Sequence, residues 1–123
     1  MIDACRELGI TLIAYSPLAM GALTGKYSAR VKASGFRRIL PGFRGKAMDA
    51  VQPVVALLRE IGERYSSSPS QVALRWLIEN ETVLPIPGAK NGQQAAENAG
   101  ALSFSLSPEE GEVLDQATLA WRR

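Results

Sequence analysis

The sequence predicts a parallel α/β arrangement that is part of a larger fold, and three observations carry that expectation. Two short apolar runs, residues 10–15 and 83–86, are each cut off by a proline, Pro17 and Pro87. Amphipathic helical patterns lie between and after them, and strands alternating with helices argue for parallel pairing. Two such strands leave two open edges and two apolar faces, more than the helices in 123 residues can cover.

Taken in order, Met1 to Leu8 reads as the last turns of a helix stopped by Gly9 at its C-terminal end. Ile10 to Tyr15 is almost continuously apolar, the pattern of a strand covered on both faces in a parallel sheet. Ser16-Pro17 ends it, because proline cannot donate to a ladder. Leu18 to about Ala47 is glycine-rich, basic and weakly periodic, and reads as a long structureless segment of functional type. From about Met48, apolar residues at Val51, Val54, Val55, Leu58 and Ile61 predict an amphipathic helix, with Pro53 in its first turn. Ser68-Pro69-Ser70-Gln71 is a capped helix start, and that helix should run, largely buried, to about Asn80. Val83 to Ile86 is the second strand. Asn91 caps a helix from Gly92 to about Ala101, and Ser107-Pro108-Glu109-Glu110 opens the last one with a capping box.

Composition narrows the chemistry. The chain is 46% hydrophobic and 21% charged, as expected of a globular domain or part of one. No apolar run approaches the ~20 residues of a bilayer span. The first residues are partly acidic and form neither a signal nor a transit pattern, so the expectation is a cytoplasmic protein, with a longer parent able to be plastid-targeted. A single cysteine, Cys5, excludes an internal disulfide framework and a thiolate zinc site. The complete lack of histidine removes Ser-His-Asp and Cys-His catalysis and histidine metal ligation. No metal site is expected, and any chemistry this chain performs alone must do without the commonest acid–base group.

Charge is uneven. Lys26, Arg30, Lys32, Arg37, Arg38, Arg44 and Lys46 crowd one stretch without an acidic residue, while all twelve acidic residues lie elsewhere. Interleaved Phe36 and Phe43 admit a nucleic-acid reading. No nucleic-acid fold pattern accompanies them and the rest of the chain is acidic, so a cofactor-covering segment is preferred.

The two strand ends are where an α/β fold places ligands. At the first, Tyr15 can offer a flat ring face, and Ser16 with the small turn through Leu18 and Gly21 can offer a hydroxyl and N–H groups to phosphate. The plainer reading is a core tyrosine followed by a proline turn. At the second, Gly88 and Lys90 precede a helix N-terminus that favours anions. Gln94, Glu97 and Asn98 share one face of that helix and could read a nucleobase edge. The plainer reading makes Gln94 a capping partner of Asn91 and leaves Glu97 and Asn98 solvated.

The combination resembles the aldo-keto reductase family. Residues 13–18 (Ile-Ala-Tyr-Ser-Pro-Leu), with Gly21, Leu23 and Thr24-Gly25-Lys26-Tyr27, resemble its seventh barrel strand and cofactor loop. Residues 69–77 resemble its seventh helix, and residues 85–91 with Gln94, Glu97 and Asn98 resemble strand eight and the helix that grips the adenosine 2′-phosphate. The resemblance implies the C-terminal portion of a (β/α)8 barrel, about its last two βα units and C-terminal helix, spanning residues 1–123 as a partial domain. It implies NADP(H) as cofactor, with Tyr15 stacked on nicotinamide, Ser16, Leu18 and Gly21 along the pyrophosphate, Lys90 on the 2′-phosphate, and Glu97 and Asn98 on adenine. Many members have arginine where this chain has Gln94, so NADP should be preferred less strongly than with arginine.

The family's catalytic tyrosine, lysine, aspartate and histidine come from earlier strands, and nothing here matches them. The resemblance thus implies reduction of aldehydes or ketones by the whole enzyme and no activity from this chain alone. Residues 38–42 (Arg-Ile-Leu-Pro-Gly) resemble plant-type pyridoxal reductases, which points to an aldehyde substrate. Two alternatives stand beside it: a non-catalytic nucleotide-binding role like that of the channel-associated β subunits in this family, or a truncated product without a role of its own. The expected partners are a small carbonyl substrate and, through open strand edges, a second copy; no nucleic acid or membrane is expected.

Overall fold

In a computed structural model, which describes residues 1–28 and 30–121, β1 (Leu12–Tyr15) and β2 (Val83–Ile86) pair in parallel. Leu12 lies opposite Val83, and Tyr15 opposite Ile86. Paired residues of parallel strands point to the same side. Ile13, Leu84, Tyr15 and Ile86 therefore share one face, and each is at least half exposed. The expectation of strands covered on both faces is corrected here: among the described residues, helices pack on one side only, against Leu12, Val83, Ala14 and Pro85.

The elements follow the predicted order with local changes. A short helix α1 (Ile2–Glu7) precedes β1, and Gly9 follows it with φ +65°. β1 begins at Leu12 and not at Ile10, because the Ile10 N–H donates to the Cys5 carbonyl and completes the helix end.

Helix α2 runs from Gly45 to Tyr65, so Pro53 lies well inside it and not in its first turn. The missing N–H and the ring of an interior proline cost about 3 kcal/mol. Val51, Val54, Val55, Leu58 and Ile61 are each at most 2% exposed, and full burial is worth about 1.5–3 kcal/mol per such side chain, so packing outweighs the defect. Pro53 itself is exposed. α2 closes at Ser66 in the left-handed region, with the Ser66 and Ser67 N–H groups both donating to the Gly62 carbonyl. The chain folds back so tightly that a Cβ at Gly62 would collide with the Ser67 carbonyl oxygen.

Helix α3 (Pro69–Ile78) starts with the expected box: Ser68 Oγ accepts from the Gln71 N–H at 3.3 Å and Gln71 Oε1 from the Ser68 N–H at 2.8 Å. Its first half is buried, while Trp76, Leu77 and Ile78 are only half-buried. Helix α4 (Gly92–Ala99) ends in a 3₁₀ turn, Gly100–Leu102, where a longer helix was expected. Helix α5 (Pro108–Trp121) opens with Ser107 and Glu110 bonded reciprocally, at 3.2 and 2.9 Å. α2 is the centre of the molecule, packed between α3 and α5, and the core joins its apolar stripe to Val72, Ala73, Leu106 and Leu114.

Residues 18–47 are not structureless. They fold into 3₁₀ segments at Ala19–Thr24, Gly35–Ile39 and Pro41–Phe43. Ala22, Leu23 and Ala33 are buried, and Tyr27 meets Phe43 edge to face with centroids 5.4 Å apart. Buried small residues and one aromatic contact anchor a segment whose weak periodicity hides its turns. Among the described residues, no helix is long and apolar enough to cross a membrane.

Candidate functional site

β1 and β2 are adjacent and parallel, so their C-terminal ends emerge side by side and deliver both predicted motifs to one cleft of about 610 Å³. Ser16, Leu18 and Gly21 line it from the β1 end, and Gly88, Lys90, Gln94, Glu97 and Asn98 from the β2 end. The backbone of the first motif is unusual. Ser16, Ala19 and Met20 have φ of 51°, 49° and 56°, left-handed values that cost non-glycine residues energy and that cluster at functional sites. Gly21, at φ +103°, continues the same tight path.

Tyr15 stands apart from the lining. It is 84% exposed on the open sheet face beside Ile86, so it is not a core tyrosine.

The second motif is held by its own hydrogen bonds. Asn91 Oδ1 accepts from the Gln94 N–H at 2.9 Å and caps α4. Gln94 reaches back one residue further than a standard box, its Oε1 accepting from the Lys90 N–H at 2.9 Å. That bond engages the Gln94 carbonyl and pins the backbone of Lys90. Asn98 Nδ2 donates to the Gly88 carbonyl at 3.3 Å, closing the loop from the other side.

Glu97 is not simply solvated. Its Oε1 accepts from Ser68 Oγ at 3.2 Å and its carbonyl accepts from Gln71 Nε2 at 2.9 Å. Ser68 and Gln71 are the capping pair of α3, so Glu97 ties α4 to the start of α3.

Thr24, Lys26 and Tyr27 of the cofactor-loop motif come over the cleft, and the structure adds two residues not singled out for the site, Arg37 from the covering segment and buried Ser70 from α3. Arg37 Nε donates to the Met20 carbonyl at 2.7 Å, and a side chain at Gly21 would touch the Tyr27 ring and the Arg37 guanidinium. In the sequence Arg37 is one of seven basic residues in the covering stretch, and only the fold separates it from Arg38. Lys26, Arg37 and Lys90 set three positive charges against the carboxylate of Glu97. With these three cations and the N-terminus of α4 at one end, the cleft suits an extended, multiply charged phosphate ligand. Among the described residues, no cluster of metal-binding side chains occurs.

Comparison with known proteins agrees with this geometry. The sequence pattern of the aldo/keto reductase family matches residues 1–118. The chain is 42% identical over 118 residues to the chloroplastic pyridoxal reductase of Arabidopsis thaliana, covering 92% of this chain and 30% of that protein. It spans about a third of the length of the curated relatives it matches. The solved glycerol dehydrogenase of Gluconobacter oxydans superposes with a TM-score of 0.83 at 21% identity, over 96% of this chain and 37% of that one, a likeness of fold. An aldo-keto reductase of Bombyx mori, solved in complex with NADP, superposes with a TM-score of 0.62 at 28% identity, over 94% and 31%. These solved proteins are (β/α)8 barrels, and the fold described here is a piece of such a barrel. The chain belongs to the aldo/keto reductase family of oxidoreductases.

Proposed function

We propose that this chain is the nucleotide-gripping portion of an NADPH-dependent aldo-keto reductase that reduces aldehyde or ketone carbonyls to alcohols. The observation that carries this reading is the positively charged cleft in which both strand-end motifs meet. Lys90, its backbone pinned by Gln94, holds the 2′-phosphate; Ser16, Leu18 and Gly21 follow the pyrophosphate; Glu97 and Asn98 meet adenine. Tyr15, with its ring on the open sheet face, provides the surface for the nicotinamide. The cofactor supplies hydride when bound. This chain's part is to hold and orient it, and to cover it with the segment that carries Lys26 and Arg37.

The proton for the carbonyl oxygen has no source here, since the chain has no histidine and nothing matching the family's catalytic set. We therefore expect the isolated chain to bind NADPH and reduce nothing. Its likeness to a pyridoxal reductase supports an aldehyde as substrate of the complete enzyme. A second reading, a non-catalytic nucleotide-binding subunit, rests on the same cleft. In the isolated chain, the open edges of the two-stranded sheet support self-association.

Thermal unfolding of residues 1–123 with and without excess NADPH tests the proposal. A cooperative transition raised by NADPH, and raised less by NADH, is the expected result. A transition indifferent to both nucleotides would overturn it.

A further inference from the structure

A second cavity, of about 370 Å³, lies within the covering segment against the first turns of α2. Lys32, Arg38 and Arg44 line it, and Asp49 is the one carboxylate among the described lining residues. Among the described residues none of the three cations forms an ion pair. Arg44 is anchored through Nε, which donates to the Arg38 backbone carbonyl at 2.7 Å, so its guanidinium is held against the 3₁₀ segment that carries Arg38, while all three cationic side chains stay exposed at the cavity. α2 begins at Gly45 on the same wall without a side-chain cap. Phe43 and Met48 supply an apolar side.

Three like charges around one concavity repel one another, and Asp49 offsets only one of them. The arrangement is satisfied by a dianion. Guanidinium forks match the paired oxygens of phosphate in a way a lone lysine does not.

The cavity is separate from the nucleotide cleft, although the two share a wall. Arg37 lines the cleft and Arg38, the next residue of the same 3₁₀ segment, lines the cavity.

We propose that the cavity of Lys32, Arg38 and Arg44 is a second anion site, taking a phosphate group, either free or on a small phosphomonoester, independently of the nucleotide. The segment that covers the cofactor thereby has a ligand of its own.

Titration of the 123-residue chain with inorganic phosphate, followed by amide NMR at constant ionic strength, tests this. Saturable shifts at Ser28 and Gly45 are expected, unmatched by chloride and undisturbed by excess NADP⁺. Replacing both arginines (Arg38→Gln with Arg44→Gln) should weaken phosphate by at least about tenfold. Asp49→Asn should tighten it about two- to fivefold, a gain that a misfolded chain cannot produce. Glycerol phosphate identifies the source: tighter binding than inorganic phosphate points to a phosphomonoester, equal binding to the free anion.

Shifts that grow linearly and match chloride would reduce the effect to screening and overturn the proposal. So would phosphate binding that NADP⁺ displaces and Lys90→Gln abolishes, since the anion would then occupy the nucleotide cleft. The readout at Ser28 and Gly45 does not require that nucleotide binds at all.

Discussion

The Nε of Arg37 donates a 2.7 Å hydrogen bond to the carbonyl of Met20, joining the covering segment to the strained turn at the end of β1. One side chain thus fixes the segment's position and places a cation over the cleft. Arg37→Ala should weaken NADP⁺ binding by about tenfold, close to 1.4 kcal/mol. Arg37→Lys keeps the charge but not the planar fork, and should fall between the two. Calorimetric titration of the three proteins checks this; an Arg37→Ala chain that binds like the unaltered one would remove Arg37 from the site.

Lys90 and Gln94 should divide cofactor choice between them. Gln94 is neutral and its amide oxygen is held by the Lys90 N–H, so within this motif the positive charge proposed to meet a 2′-phosphate is that of Lys90. Lys90→Met should cost NADPH on the order of tenfold, the loss of one charge-assisted bond, and leave NADH nearly unchanged. Gln94→Arg should widen the preference for NADPH. Ratios of dissociation constants, best measured in a complete enzyme carrying this portion, decide it; equal affinities for NADPH and NADH in the unaltered protein would refute the 2′-phosphate role.

Glu110 gives the fold an acid limit. It is 8% exposed, accepts a 2.6 Å bond from the Tyr65 hydroxyl and pairs with Arg64 at 3.0 Å. Burial, the largest single influence, pushes its carboxyl up, but the bonds from Tyr65, the Ser107 N–H and Arg64 together hold it below the ordinary value. Glu79 is lowered as well, first by its hydrogen bond from Arg75. A carboxyl lowered in the folded state stabilises above its unfolded value and loses that contribution as pH falls through its folded one. Melting temperature should therefore hold at neutral pH and drop in acid, and Glu110→Gln should flatten the acid limb. Glu110→Ala should cost about 1–3 kcal/mol at pH 7. The Tyr65 hydroxyl, raised chiefly by the same bond, favours the fold below its ordinary value and ceases to as pH climbs past the raised one. Melting curves from pH 3 to 11 for the unaltered chain, Glu110→Gln and Tyr65→Phe read both limbs.

Gly62 is required by space and not by torsion. A methyl group there would strike the Ser67 carbonyl, which is backbone and cannot swing aside. Despite the better helix propensity of alanine, Gly62→Ala should destabilise by about 1–3 kcal/mol, whereas Gly111→Ala, with open space at its Cβ position, should be neutral or slightly stabilising. Urea denaturation of the pair provides the comparison.

Local rules were enough for much of the fold. The helix starts at Ser68 and Ser107 follow from spacing alone, because a serine and the residue three further on satisfy each other's backbone with no outside help. β2 and both strand-end motifs were legible for a related reason: proline, glycine and short apolar runs act on their own neighbours. Pro53 shows where such rules fail. Its local preference is a first turn, and the buried stripe on either side overrides it.

The sequence by itself determined the two strands, their parallel pairing and the main helices, but not the 3₁₀ turns within residues 18–47 or the start of α2. Only the tertiary structure decided that the strand ends share one cleft, that Arg37 joins it while Arg38 faces a second cavity, and that one sheet face lies open. The division has a physical cause. Capping, torsion and periodicity are contests within a few residues, whereas a cleft is built by residues brought together from distant parts of the chain, and their meeting depends on which apolar surfaces the helices bury.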